Sequence, residues 1–145
     1  MNGLTVDRRT EFSGVNDPLT EKIIRVFYEV YNELGFGFLE SVYREGMRIA
    51  LGEAGFRVEA EVPVPVSFRG KLVGVFRADI VVDGRIIVEL KTAELISKAH
   101  EAQVLHYLRA SEMEVGLVMN FGPVAKFRRI EMRNDRKKRM LVGAL

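Results

Sequence analysis

The chain contains no cysteine, which excludes disulfides, thiolate metal sites and cysteine nucleophiles. It has no apolar run near the roughly 18 residues that cross a bilayer. Residues 1–15 include Asp7 and Glu11 and lack a signal-peptide core. Cytoplasmic residence, with no membrane partner, is the expectation. Internal repeats, low-complexity segments and linkers are also missing. The two histidines, His100 and His106, are not i,i+4 partners, and nothing nearby completes a zinc site. Charge of one sign is scarce: 22 Lys and Arg against 20 Asp and Glu leave a net charge of +2, so the chain as a whole is not a polycation.

What is present fits one soluble domain. A chain of 145 residues is long enough to bury most of its apolar surface, and 48% hydrophobic with 29% charged residues is ordinary for a globular protein. From Lys126 onward the charge is uneven, with Arg128, Arg129, Arg133, Arg136, Lys137, Lys138 and Arg139 against Glu131 and Asp135. Such a stretch suits phosphate neutralisation. It equally suits a solvated terminal segment. The expected organisation is a flexible N-terminal arm over 1–15, a folded domain over 16–133 and a basic C-terminal tail over 134–145.

Periodicity and punctuation predict the order α-α-β-β-β-α-β-β, an α/β sandwich with a largely mixed sheet. Asn16-Asp17-Pro18 is a helix start, a capping side chain followed by proline in the first turn. Thr20, Ile23, Ile24, Phe27, Val30, Tyr31 and Leu34 then trace an amphipathic helix, ended by Gly35 and Gly37. A second helix is expected over 38–54. Three strands follow near 57–68, 72–82 and 85–92, then a helix over 97–111 and short strands over 115–120 and 127–132.

The segment 76–91 is the most informative. Phe76, Ala78, Ile80 and Val82 make one apolar row, continued across the Asp83-Gly84 turn by Ile86, Val88 and Leu90. The opposite face collects Arg77, Asp79, Glu89 and Lys91. A two-residue loop would pair Val82 with Arg85 and send Asp79 and Glu89 to opposite faces. A three-residue loop, Val82-Asp83-Gly84, pairs Val81 with Arg85. It sets Arg77 opposite Glu89, with Asp79 on the diagonal at roughly 7–8 Å. Burial and chemistry both prefer that register. Two such carboxylates repel by about 4 kcal/mol at 4 Å and an effective dielectric near 20. A hard divalent cation relieves that repulsion, activates a bound water and stabilises charge on a phosphate. Lys91 would orient the water or bind the phosphate. The plain alternative is a surface salt-bridge cluster, Arg77–Glu89 and Asp79–Lys91.

Two helices offer further candidates. Glu40 shares a helical stripe with Tyr43, Met47, Ala50 and Ala54, so a carboxylate lies in line with core-type residues and needs a partner. An exposed first-turn position, favoured by the helix dipole, explains it equally well. On the third helix His100, Gln103 and Tyr107 share one face, opposite Val104, Leu105 and Leu108. Gln103 and Tyr107 could meet a base or phosphate, or simply form a polar solvent face.

Gly37-Phe-Leu-Glu40-Ser-Val-Tyr43 resembles the signature of the small bacterial and archaeal GxxExxY proteins of the PD-(D/E)XK nuclease superfamily. The resemblance runs from about Asp17 to Met132. It includes Arg77-Ala-Asp79, Val88-Glu-Leu-Lys91, Glu101-Ala-Gln103 with Tyr107-Leu108, and Gly116-Leu-Val-Met-Asn120-Phe-Gly. It implies a restriction-endonuclease-like core, a mixed β-sheet flanked by α-helices. It implies that Asp79 and Glu89 are metal ligands with the Leu90 carbonyl, that Glu40 is an acidic residue near the metal, a ligand directly or through water, and that Lys91 is the catalytic lysine. Gln103 and Tyr107 would resemble the Q-x-x-x-Y motif of recombination-type nucleases. The proline of the superfamily name is absent, with Ala78 before Asp79. The expected function is a Mg²⁺-dependent nuclease, with Mn²⁺ as a substitute, acting on nucleic acid and on DNA by preference. A homodimer or a partner protein would supply specificity, since no insertion large enough to read sequence is evident. The alternatives are a non-catalytic nucleic-acid-binding or adaptor protein retaining the fold, and a structural module whose charges only form salt bridges.

Overall fold

The structure, a computed structural model, describes residues 17–137. Asn16, the expected arm over 1–15 and the last part of the basic tail, 138–145, lie outside the described residues. Helix α1 spans Pro18–Leu34 and starts where Asp17 caps it: the carboxylate accepts from Leu19 N at 3.1 Å and from Thr20 Oγ1 at 2.9 Å. Proline in the first turn has no N–H to leave unsatisfied there. The helix stops at Gly35, whose φ of 75° a residue with a Cβ adopts at a cost. Helix α2 spans Glu40–Glu53. Strands β1 (Val58–Phe68), β2 (Lys71–Val82) and β3 (Ile86–Lys91) follow, then α3 (Lys98–Arg109), β4 (Val115–Phe121) and β5 (Ala125–Glu131).

The five strands lie in their order along the chain. The β3–β4 pair is parallel and the others are antiparallel, so the sheet is mixed. A parallel pair needs a crossover, which α3 supplies. Helices α1 and α2 cover one face, where Ile23, Phe27, Tyr43 and Met47 pack on Ile80, Val88, Leu117 and Phe121. Helix α3 covers the other with Val104, Tyr107 and Leu108 against Val81, Ile87 and Val118. A fully buried side chain of this size contributes about 1.5–3 kcal/mol. Gly116 lets α3 sit close, since a Cβ there would lie 2.4 Å from Val104 Cγ1. Among the described residues no helix is long and apolar enough to cross a membrane.

Three expectations about the central hairpin need correction. The loop has three residues, but they are Asp83-Gly84-Arg85: Val82 pairs with Ile86 and Val81 with Ile87. Asp83 and Gly84 both have positive φ, 53° and 64°, and Arg85 N donates to Val82 O at 2.9 Å, which leaves Arg85 as the extra residue. Asp79 therefore comes opposite Glu89 rather than diagonal to it, and Arg77 turns away to donate to Glu61 O at 3.4 Å. The expected apolar row also breaks. Ile80 and Val82 join the α1–α2 side, whereas Phe76 and Ala78 join the α3 side. The break falls where Glu61, at φ 53°, interrupts the β1–β2 ladder between Ala60↔Ile80 and Val62↔Ala78.

The basic stretch is partly consumed inside the fold. Arg128 approaches Glu101 at 3.7 Å, and the buried Arg129 approaches Glu131 at 3.6 Å. Residues 134–137 turn back onto the end of α3, with Lys137 Nζ donating to Ser111 O at 2.8 Å and Met113 O at 2.7 Å.

Candidate active site

Strand β2 pairs with β1 over ten residue pairs but with β3 over only three, from Val82↔Ile86 to Ile80↔Val88. Strand β3 continues along β4 as far as Lys91↔Asn120. The sheet therefore forks at Asp79 and Glu89. Side chains close the fork where the backbone ladder stops. Glu89 Oε1 accepts from Asp79 N at 3.0 Å, and Asp79 Oδ2 accepts from Leu90 N at 2.9 Å. The two carboxylates thus meet across the fork, each bonded to the backbone of the other's strand.

Charge is crowded in the fork. Glu89 is 4% exposed, and burial, followed by the neighbouring Asp79 charge, pushes its carboxyl up to about 8. The Asp79 backbone bond and Lys91 oppose the shift, and Glu40 adds to it. Lys91 ends β3 two residues after Glu89, on the same side. Glu40 is half-buried at the first position of α2. Its carboxyl is held above the ordinary range by burial, with Lys91 lowering it, Asp79 raising it and Arg44 lowering it. The first-turn position and the site position expected for Glu40 are thus the same place.

The geometry of α2 comes from the loop before it. Gly37 has φ 117°, and Tyr43 holds the loop by donating to Gly35 O while accepting from Phe38 N at 3.2 Å. The Tyr43 ring stacks on Phe121 of β4, 4.3 Å between centroids at 18°. In the Gly37–Glu40–Tyr43 spacing the glycine turns the chain, the tyrosine fastens the turn, and the glutamate lands beside Asp79 and Lys91.

Helix α3 contributes from the other side. Tyr107 is buried rather than solvent-facing, its ring edge-on to Phe76 at 4.9 Å. Its phenol is pushed well above its ordinary range by burial, then by Glu89 and Asp79, with the Gln103 side chain acting the other way. Glu40, Asp79, Glu89 and Lys91 thus influence one another at the fork, with Tyr107 near the two strand carboxylates and Gln103 beside Tyr107. The Leu90 side chain is in the core and its N–H serves Asp79. His106 is exposed on α3. His100 lies near Lys91, which together with burial lowers its imidazole pKa, and its Nδ1 accepts from Ser97 N at 3.1 Å in a capping box.

Arg44 is the residue that sequence reasoning missed. Its Nη1 lies 3.3 Å from Asp79 Oδ1 and its Nη2 lies 3.9 Å from Glu61 Oε1. The signal was its position one helical turn after Glu40. The alternative of an Arg77–Glu89 and Asp79–Lys91 salt-bridge cluster differs from this arrangement, in which Arg44 faces Asp79 and Arg77 donates to Glu61 O. Among the described residues no three His, Asp or Glu side chains converge as a ready metal cluster. The donor set is instead two hard carboxylates. Asp79 and Glu89 suit a hard divalent cation, which prefers carboxylate, carbonyl and water ligands.

Asn120 secures the chain beyond Lys91: Oδ1 accepts from Ala93 N at 2.9 Å and Nδ2 donates to Ala93 O at 2.8 Å. Gly122 allows this approach, since a Cβ there would lie 2.1 Å from Ala93 O.

No curated protein matches the chain. The crystal structure of SSO0001 is a distant likeness, at 19% identity and a TM-score of 0.45 over 85% of this chain and 72% of that one. The family model described as PD-(D/E)XK nuclease superfamily matches residues 17–132, the span that builds the sheet, all three helices and the fork. This chain belongs to the PD-(D/E)XK nuclease superfamily.

Proposed function

We propose that this chain is a divalent-cation-dependent nuclease of the GxxExxY type that hydrolyses phosphodiester bonds, with DNA the favoured substrate. The observation that carries the reading is the fork itself. A buried Glu89 raised to about 8 faces Asp79, with Lys91 and Glu40 beside them, an arrangement that is costly unless positive charge arrives. Asp79 and Glu89, with the Leu90 carbonyl, would hold Mg²⁺ or Mn²⁺, and Glu40 would reach it through water. When bound, the cation lowers the pKa of a bound water and neutralises charge on the phosphate.

The protein's own groups do the rest. Lys91 holds the scissile phosphate or the attacking water by its ammonium group. Gln103 and Tyr107, a neutral phenol, offer hydrogen bonds to the strand. Burial of the fork excludes bulk water and strengthens each of these contacts. The protein acts in the cytoplasm, and a second copy or a partner protein supplies specificity.

A second reading rests on Arg44, which already gives Asp79 a counter-ion at 3.3 Å. A nucleic-acid-binding or adaptor protein retaining the fold would need no more than that. Single-turnover cleavage of a small DNA and RNA panel, with and without Mg²⁺, separates the two. The nuclease cleaves only with cation and loses cleavage in Glu89→Ala. Nucleic acid bound and left intact by the parent protein supports the adaptor.

A further inference from the structure

The loop before α2 carries Phe36, Phe38 and Leu39 outward, 59%, 48% and 76% exposed. Two aromatic rings in water on a hydrogen-bonded turn serve no purpose in the core. The loop is nevertheless well fastened. Besides the two Tyr43 contacts, Val42 N donates to Leu39 O at 3.0 Å, and the Phe38 ring meets the Tyr43 ring edge-on at 6.0 Å. Tyr43 in turn stacks on Phe121, so the Phe38 ring is backed by the sheet through Tyr43. Leu39 directly precedes Glu40, whose carboxylate responds to Asp79 and Lys91. The apolar rim is thus continuous with the fork.

Resting on the nuclease reading, we propose that Phe36 and Phe38 form a base-stacking rim, and that the substrate is a strand with unpaired bases next to the scissile bond. A continuous duplex hides its base faces and is gripped mainly through its phosphates, by lysine and arginine. The segment Gly35-Phe-Gly-Phe-Leu39 contains neither. Unpaired bases are held by stacking on aromatic side chains, which needs no charge and tolerates any sequence. That tolerance agrees with the lack of a sequence-reading insertion. Another opening, the groove between α1 and α2, is lined in part by Glu29, Glu33 and Glu53, which would repel a polyanion.

The test is fluorescence anisotropy on the Lys91→Ala chain with Mg²⁺, using one labelled sequence as a single strand, as a forked duplex and as a full duplex. Single strand and fork should bind about tenfold or more tightly than duplex. The Phe36→Ser, Phe38→Ala double variant should lose about 5- to 100-fold on the single strand, the range for one or two stacked bases, with no change on duplex. Phe36→Ser alone, at a position 59% exposed, should lose about fivefold if that ring carries one base. Abasic sites placed in the strand should reproduce the loss without altering the protein. Equal affinity for duplex and single strand, or unchanged affinity in the variants, overturns the proposal while leaving the nuclease reading standing. Variants that change sedimentation but not strand affinity assign the rim to self-association and overturn it too. If the parent binds no nucleic acid in any form, both readings fall.

Discussion

Asn120 grips Ala93 with both ends of its side-chain amide, 27 residues across the β3–α3–β4 crossover. The contact pins the segment that leaves Lys91 to the strand beside it. Asn120→Ala should therefore cost about 1–3 kcal/mol, as both Ala93 groups lose their partners. Gly122→Ala should cost at least as much, because its Cβ would lie 2.1 Å from Ala93 O. Urea midpoints of the two variants check this. A change below about 0.5 kcal/mol in both would mean that the clamp does not hold the crossover.

Glu89 should make the cation-free protein less stable as pH rises. Its folded pKa, about 8, lies above the ordinary value of 4.5, so the folded state keeps a proton that the unfolded state has lost. The contribution is fully present below pH 4.5 and disappears as pH passes through about 8. One proton accounts for at most about 1.4 kcal/mol per pH unit. Melting curves in EDTA from pH 4 to 9.5 should show this decline in the parent and a flatter profile in Glu89→Gln. Saturating Mg²⁺ should flatten the parent's profile, since a cation favours the ionised form. A parent as pH-independent as Glu89→Gln would remove the buried-carboxyl argument.

Arg44 should compete with the cation. Its guanidinium is partly exposed, so the pair with Asp79 is worth up to about 1 kcal/mol. Arg44→Gln should accordingly tighten Mg²⁺ binding about fivefold in calorimetric titration without nucleic acid. Weaker binding in this variant would make Arg44 a support of the site rather than a rival for it.

Lys91 and Glu89 should fail differently. Lys91→Ala should keep its Mg²⁺ affinity and lose about 10²–10³ in single-turnover cleavage, the scale of one positioned electrostatic contact. Glu89→Ala should lose Mg²⁺ binding together with cleavage, while holding nucleic acid as well as the parent or better. Equal cleavage by the parent and both variants would identify a contaminating nuclease.

The elements were legible wherever local chemistry decides them. Asp17 and Pro18 begin a helix whatever it packs on, and Gly35 ends it. That Asp79 and Glu89 meet was legible from their places on consecutive strands of one hairpin. What escaped is what distant contacts decide. The turn slipped by one residue because Asp83, as well as Gly84, adopts the left-handed conformation, which a short polar side chain tolerates. The row from Phe76 to Val82 breaks beside Glu61, a residue of positive φ on the neighbouring strand that the row itself does not reveal. Whether Tyr107 faced a ligand or solvent stayed open in the sequence, because its cover, Phe76, lies on a strand 31 positions earlier, a separation no helical period reveals. Arg44 is one arginine among many until Asp79 is seen next to it.

The way the fork is closed gives the protein two built-in spectroscopic reporters. The amide protons of Asp79 and Leu90 are bonded to the carboxylates of Glu89 and Asp79 rather than to main-chain carbonyls. Their chemical shifts and exchange rates therefore register the charge on those carboxylates directly. Loading with a cation, protonation of Glu89 or displacement of Arg44 can be followed at these two amides in the intact chain, before any bond is cut.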